Sequence, residues 1–244
     1  MTRHVLLNNV DHGKLRIVTA RSADLGDDVM CTPTFHLEFR NLQAHYPIFF
    51  RKETGTGRFQ PVAMFGFEDH ENLFLGKDGW DATYLPLTIE RQPFLIGFQE
   101  REEEGETRRT PVIHVDMDSP RISETQGEPV FLEYGGNSEY LKRMTSVLHT
   151  IHAGLESNRA FVDMLLEFNL LESFVLDVEF DDRSQHRLIG FYTINEDALD
   201  RLGGDALARL NGHGYLKPVY MAIASLSNIR TLIEKRRARQ KAVA

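Results

Sequence analysis

The sequence predicts an α+β fold, with mostly antiparallel β-sheet in the N-terminal half and helices plus a β-hairpin in the C-terminal half. Three patterns carry that reading. From His45 to Phe98, aromatics and prolines crowd into Tyr46-Pro47-Ile48-Phe49-Phe50, Phe59-Gln60-Pro61-Val62-Ala63-Met64-Phe65-Gly66, Trp80-Asp81-Ala82-Thr83-Tyr84-Leu85-Pro86 and Gln92-Pro93-Phe94. Such density means short buried strands joined by stiff corners. After Asn137 the period changes to a helical one. Later, Phe174, Leu176, Val178 and Phe180 alternate with Val175, Asp177 and Glu179, which marks a half-buried strand. Strands first, followed by mixed helices and strands, argue for α+β.

Taken in order, residues 5–20 read as one or two short strands with a turn at Asp11-His12-Gly13, and Asp24 to Asp28 reads as another turn. Thr34 to Phe39 is ambiguous: the alternation of Phe35, Leu37 and Phe39 favours a strand, while Leu42 also permits a short helix. Ile48 to Arg51 and Phe59 to Phe67 form a hairpin around Thr54-Gly55-Thr56-Gly57. Pro47 and Pro61 stand at strand starts, where a missing N–H is tolerated. Tyr84 to Arg91 is a short turn or helix. Phe94 to Gln99 and Val112 to Met117 form a second hairpin, and the almost wholly charged run from Glu100 to Arg109 reads as its solvated loop. Tyr140, Leu141, Met144, Val147, Leu148 and Ile151 make a helix capped by Asn137 or Ser138. Gly154 and Asn158 mark a break before a second helix over Phe161 to Phe168. Leu188 to Ile194 answers the strand at Phe174 after a polar turn at Asp181 to Gln185. Short helical pieces follow at Glu196–Leu202 and Asp205–Leu210. A final helix runs from about Lys217, with Pro218 in its first turn, into the basic tail. The expected organisation is one domain over 1–244, β-rich to about 135 and helix-rich over about 136–236, with a basic tail at 230–244.

The chain has 244 residues, 41% hydrophobic and 26% charged, with a formal net charge of −8. That composition suits a globular protein with a sizeable core. The tail holds Arg230, Lys235, Arg236, Arg237, Arg239 and Lys241 against Glu234, a local net charge of +5, so the remainder carries −13. An acidic body argues against nucleic acid as a partner of the whole surface. The tail is expected to offset its helix dipole and keep a frayed end in solution. Cys31 is the only cysteine, so no disulfide framework forms within the chain, which fits a reducing compartment. The apolar run before Asn8 is only Val5-Leu6-Leu7, too short for a secretory signal. The most apolar run, Val219 to Leu226, is too short to span a bilayer. A cytoplasmic location without a membrane span is the expectation.

The order of the motifs resembles the SapC family of bacterial proteins, distinct from the peptide-transport permease of the same name. Tyr46-Pro47-Ile48-Phe49-Phe50 is the clearest match. Pro61-Val62-Ala63, Glu71-Asn72-Leu73-Phe74, Trp80-Asp81-Ala82, Tyr84-Leu85-Pro86 and Arg91-Gln92-Pro93-Phe94 follow. Asp116-Met117-Asp118-Ser119-Pro120, Gly127-Glu128-Pro129-Val130-Phe131, Leu170-Leu171-Glu172, Gly190-Phe191-Tyr192-Thr193-Ile194-Asn195-Glu196 and Ser225-Leu226-Ser227-Asn228-Ile229 complete the set. Asn195 stands where an acid is usual, and the Glu100–Arg109 stretch is long. The resemblance implies no catalytic residues. It implies a name taken from a surface-layer-associated locus. It also implies a neighbourhood of TonB-dependent receptors, flavin-dependent halogenases and cupin-like proteins, which points to acquisition or modification of a peptide, a glycan or an aromatic compound.

Several constellations invite chemistry. His114-Val115-Asp116 has the His-x-Asp spacing of a ferrous facial triad, with His149, His152, His186 or His213 as a third ligand. The resembling pattern requires the aspartates and not the histidine. Asp116 and Asp118 share a strand face and suit paired carboxylates, or the capping of a turn with Ser119. His149 and His152 lie one helical turn apart. Cys31, Ser119, Ser225 and Ser227 lack a nucleophile signature, and no phosphate-loop glycine pattern occurs. Trp80, Tyr84 and Arg91 join an indole, a phenol and a guanidinium in motif-bearing segments. Together with Asp116, Asp118 and Ser119 they form the expected binding set, for an amino-acid-like or peptide ligand held by apolar walls and a few polar groups. No metal and no cofactor is expected. The leading reading is a binding or accessory protein, with a small-molecule or peptide ligand or a protein partner. The alternative is a metal-dependent enzyme, and the second alternative a surface-layer-related structural protein.

Overall fold

The computed structural model describes residues 3–103, 106–179 and 185–243. In chain order the first elements are β1 (His4–Leu6), β2 (Arg16–Ile17), β3 (Cys31–Pro33), α1 (Phe39–Leu42), β4 (Ile48–Lys52) and β5 (Phe59–Met64). Then come β6 (Leu75–Gly76), β7 (Gly79–Trp80), α2 (Leu87–Glu90), β8 (Phe94–Glu103), β9 (Glu106–Asp116), β10 (Ile122–Ser123) and β11 (Glu128–Pro129). The last are α3 (Glu139–Glu167), β12 (Leu171–Glu179), β13 (Gln185–Ile194), α4 (Glu196–Asp200), α5 (Gly204–Gly212), α6 (Leu216–Ser225) and α7 (Asn228–Val243). The fold is α+β, and its strand pairs are antiparallel. Among the described residues no helix is long and apolar enough to cross a membrane. The chain divides into two compact units, each made of two stretches: Met1–Asp27 with Leu87–Ala153, and Asp28–Pro86 with Gly154–Ala244.

The first unit holds a three-stranded sheet, β1-β9-β8, and a small one, β10-β2-β11. Phe94 and Val115 face each other in register and are fully buried. The charged run read as a loop is strand. β8 and β9 stay paired outward through Glu100↔Arg109 to Glu103↔Glu106, with residues 104 and 105 outside the described part. Backbone pairing needs no apolar side chain, and an antiparallel ribbon tolerates water on its faces. Charge on a strand that ends a sheet also discourages further pairing.

The second unit is built on a five-stranded sheet, β12-β13-β4-β5-β3. The expected hairpin β4–β5 forms, with Gly57 at φ 67° in its turn, a conformation open to glycine at no steric cost. β13 joins its edge through Phe191↔Arg51 and Tyr192↔Phe50. Tyr46, Ile48, Phe50, Val62 and Met64 are buried, Phe191 is 5% exposed, and Phe174 and Leu176 are half-buried in the same sheet. Phe180, and most of the turn expected at Asp181 to Gln185, lie outside the described residues.

One ambiguity is resolved and two further expectations are corrected. The segment from Thr34 is not a strand, because β3 ends at Pro33 and the chain turns into α1. Phe35, Phe39 and Leu42 are buried while Leu37 is 63% exposed, so helical spacing outweighs the alternation. Gly154 and Asn158 do not break a helix, since α3 runs unbroken over 29 residues from its Ser138 cap. A Cβ on Gly154 would lie 2.3 Å from Cδ2 of Phe35, so the glycine is there to admit that ring. The final helix is two helices. α6 ends where the Ser225 hydroxyl donates to the Ala222 carbonyl and accepts from the Ile48 N–H.

Candidate functional site

The site grows from two loops and a helix face within the second unit. In the segment after β3, the carboxylate of Glu38 is 2% exposed. It accepts from the Thr34 hydroxyl at 2.5 Å and from the Tyr84 hydroxyl at 3.0 Å. The Tyr84 carbonyl accepts from the Tyr46 hydroxyl, which accepts in turn from Nε1 of Trp80 at 2.7 Å. Burial raises the pKa of Tyr46, which keeps it a neutral donor. The Trp80 ring packs edge-on to Phe65, with centroids 5.1 Å apart, and stacks at 6.3 Å on Phe74. Two aromatic residues flagged by the sequence therefore belong to one half-buried polar chain with apolar flanks.

The other end of that chain reaches a cleft. The Thr34 carbonyl accepts from Nδ2 of Asn158 and Nε2 of Gln60, each at 2.8 Å. Oδ1 of Asn158 accepts from the His36 backbone N–H at 2.9 Å and lies 3.2 Å from His36 Nδ1. With the amide so oriented, Nδ1 of His36 carries the proton. The imidazole is stacked on Phe161 at 5.0 Å and meets Tyr215 edge-on at 5.4 Å. Burial lowers its pKa, so it is neutral at pH 7. Gln60 and Asn158 line a cleft of about 310 Å³ between the β4–β5 turn and the second half of α3. Leu155, Val162 and Leu166 give it an aliphatic wall; Arg58, Arg159, Glu53 and Asp163 ring it with charge. Helical spacing places 155, 159, 162, 163 and 166 on one face of α3.

A family model described as SapC matches residues 7–232. The chain belongs to the SapC family. No curated protein and no solved structure matches it. The matched span includes Tyr46, whose hydroxyl joins the polar chain just before β4, and Trp80 and Tyr84.

The six binding residues expected from the sequence are divided between the units. Trp80 and Tyr84 lie in the second; Arg91, Asp116, Asp118 and Ser119 lie in the first. Arg91 donates to the Phe94 carbonyl, and burial lowers its pKa. The Asp116 N–H donates to the Pro93 carbonyl at 3.1 Å, so the Arg91 turn and the Asp116 strand end are neighbours. Asp116 acts locally, and Asp118 reaches the N-terminal segment. Oδ1 of Asp116 accepts from the Asp118 N–H at 3.1 Å, and Oδ2 of Asp118 from the Arg3 N–H at 2.9 Å. The Ser119 hydroxyl accepts from the Arg121 N–H at 3.3 Å. The Asp116 and Ser119 bonds, each to an N–H two residues on, are turn-capping chemistry, and the Asp118 bond ties the turn to the N-terminal segment. The His114 ring lies where a Cβ on Gly97 would be, 1.9 Å from its Nδ1, so Gly97 is the residue that makes room for it. His152 packs on Phe98 at 5.3 Å. Among the described residues no three His, Cys, Asp or Glu are grouped to hold a metal ion.

The sequence reading missed the cleft. Arg58 follows the expected hairpin turn at Thr54-Gly55-Thr56-Gly57 and drew no reading, and Leu155 to Leu166 straddled a supposed helix break. The available signal was the pair of leucines eleven residues apart on the same helical face as Arg159 and Asp163. A second buried cluster, in the first unit, was equally hidden. Asp27 accepts from Arg121 at 2.6 Å and from Arg21 at 3.3 Å. Arg121 also donates to the carbonyls of Val18 and Ala20.

Proposed function

We propose that this SapC-family protein is a binding or accessory protein, and that the cleft between the β4–β5 turn and α3 is where it takes up a small amphipathic molecule. One observation carries the reading: an aliphatic wall is exposed beside charged groups over a floor of two amides fixed by hydrogen bonds. Leu155 is 37% and Leu166 43% exposed on that wall. Apolar walls supply affinity, and a few fixed polar groups orient the ligand. The amides cannot turn away when a ligand arrives, because both are tied to Thr34. Preorganisation of this kind lowers the entropic cost of binding. Peptide, glycan and aromatic ligands are the classes to compare, given the family's association with their uptake or modification. The test is ¹⁵N-detected titration of the protein with small peptides, sugars and aromatic acids. Shifts concentrated in residues 53–60 and 155–166 are expected. A ligand that binds while moving only resonances outside those segments would overturn the assignment.

A further inference from the structure

We propose that the ligand of this cleft is a small zwitterion, a free α-amino acid or dipeptide with aliphatic side chains; this rests on the reading of the cleft as a binding site. Arg58 and Arg159 bring two guanidinium groups to its rim, and Asp163 and Glu53 bring carboxylates. Two arginines elsewhere in the same unit are committed, Arg209 to Glu167 and Arg236 to Glu68 and Glu71. Among the described residues the side chains of Arg58, Arg159 and Asp163 make no ion pair, although Arg159 and Asp163 stand four apart on one helix, where such pairs close. Both signs of charge are therefore on offer at one small opening.

The chemistry of the lining narrows the class. A ligand carboxylate meets the forked donors of Arg58 and Arg159. A ligand ammonium meets Asp163 and the Oε1 of Gln60, whose Nε2 is already spent on the carbonyls of Thr34 and Pro61. An aliphatic side chain lies against Leu155, Val162 and Leu166. The volume of about 310 Å³ stands at the low end of ligand sites, roughly 300–1,000 Å³. It suits one or two residues and not a long polymer. Sugars favour an open aromatic platform, and the Phe59 ring is already met edge-on by Tyr192 at 4.7 Å and covered by Lys52 at 5.6 Å.

The experiment compares L-leucyl-L-leucine with its N-acetylated, C-amidated form by calorimetry and ¹⁵N-detected titration. The same probes are run on Arg159→Ala and Asp163→Ala, two exposed positions whose replacement leaves the fold intact. The zwitterion is expected to shift residues 53–60 and 155–166 and to bind about tenfold more tightly than the capped form. Each variant is expected to lose about tenfold for the zwitterion and nothing for the capped form. Equal binding of both forms in the cleft would overturn charge recognition and leave the cleft standing as a site. The same holds if only sugars or aromatic acids move those resonances. If no probe moves them, the cleft reading falls as well.

Discussion

Asp27 sits between two arginines, Arg21 and Arg121, and it is fully buried with Arg121 1% exposed. Removing the acid leaves two buried cations unpaired, and breaking a buried pair from one side costs about 3–5 kcal/mol. Asp27→Ala should therefore lose about that much in urea unfolding, whereas Arg21→Ala, which leaves the Arg121–Asp27 bond in place, should lose less. Equal losses would mean that the triplet does not act as described. His36 makes a second prediction. Its folded-state pKa is lowered from 6.5 by burial, so below pH 6.5 the unfolded chain binds the proton first. Stability is then complete above that pH and falls as pH drops, by at most about 1.4 kcal/mol per unit for one group. Thermal melts at pH 7.5 and 5.5 should show a smaller acid loss in His36→Gln than in the parent; an unchanged difference would refute it. Neither residue stood out in the sequence. Arg121 follows a Ser-Pro turn and His36 lies in an ambiguous segment, and residue type alone argues for exposure of an arginine.

Elements were legible where periodicity and turn chemistry agreed. The hairpin β4–β5, the Ser138 cap and the antiparallel pair β12–β13 all follow from patterns visible in the sequence. Gly154 shows where such reading stops. A glycine inside a helix costs about 1 kcal/mol relative to alanine, so local propensity argued for a break. What holds α3 together there is tertiary: Phe35 fills the space over Gly154, and Asn158 spends its amide on His36 and Thr34. Gly154→Ala accordingly sets two effects against each other. Propensity gains about 1 kcal/mol, while a Cβ 2.3 Å from an aromatic carbon demands repacking at about 1–3 kcal/mol. The second effect should win, with a net loss measurable by chemical denaturation. Phe35→Leu, costly by itself, should make the added Gly154→Ala change less harmful in a double-mutant cycle. A stabilised Gly154→Ala would mean that the ring yields freely. The same limit hid the cleft, since its helix face is exposed and mixed, and nothing in linear spacing says what lies opposite.

For the whole chain, the two units interleave, so composition read from end to end does not separate them. Charge, too, takes its meaning from placement. The basic tail suggested a solvated helix end, but α7 is docked within the second unit. Lys235 pairs with Asp81, and Arg236 with Glu68 and Glu71. Arg239 donates to the carbonyls of Asn72 and Leu75 at 3.0 and 2.8 Å, and Leu232 is buried. Lys235 also lies 5.0 Å over the Phe74 ring. These contacts converge on residues 68–81, whose own strands, β6 and β7, are two residues each and too short to hold themselves. The carboxylates of Glu71 and Arg236's guanidinium are largely out of water, so salt screens them less than a surface pair. Removing residues 235–244 keeps Leu232 and deletes the cations. Hydrogen exchange in residues 68–81 should then accelerate by about tenfold or more, the loss of roughly 1.4 kcal/mol or more of local opening energy. Exchange in β8 and β9, which lie in the other unit, should stay as it was. Raising salt in the parent should reproduce only part of the effect, because the Arg239 bonds end on backbone carbonyls. Unchanged exchange at 68–81 after the truncation would show that the tail merely rests there, and would return it to the solvated role its sequence suggested.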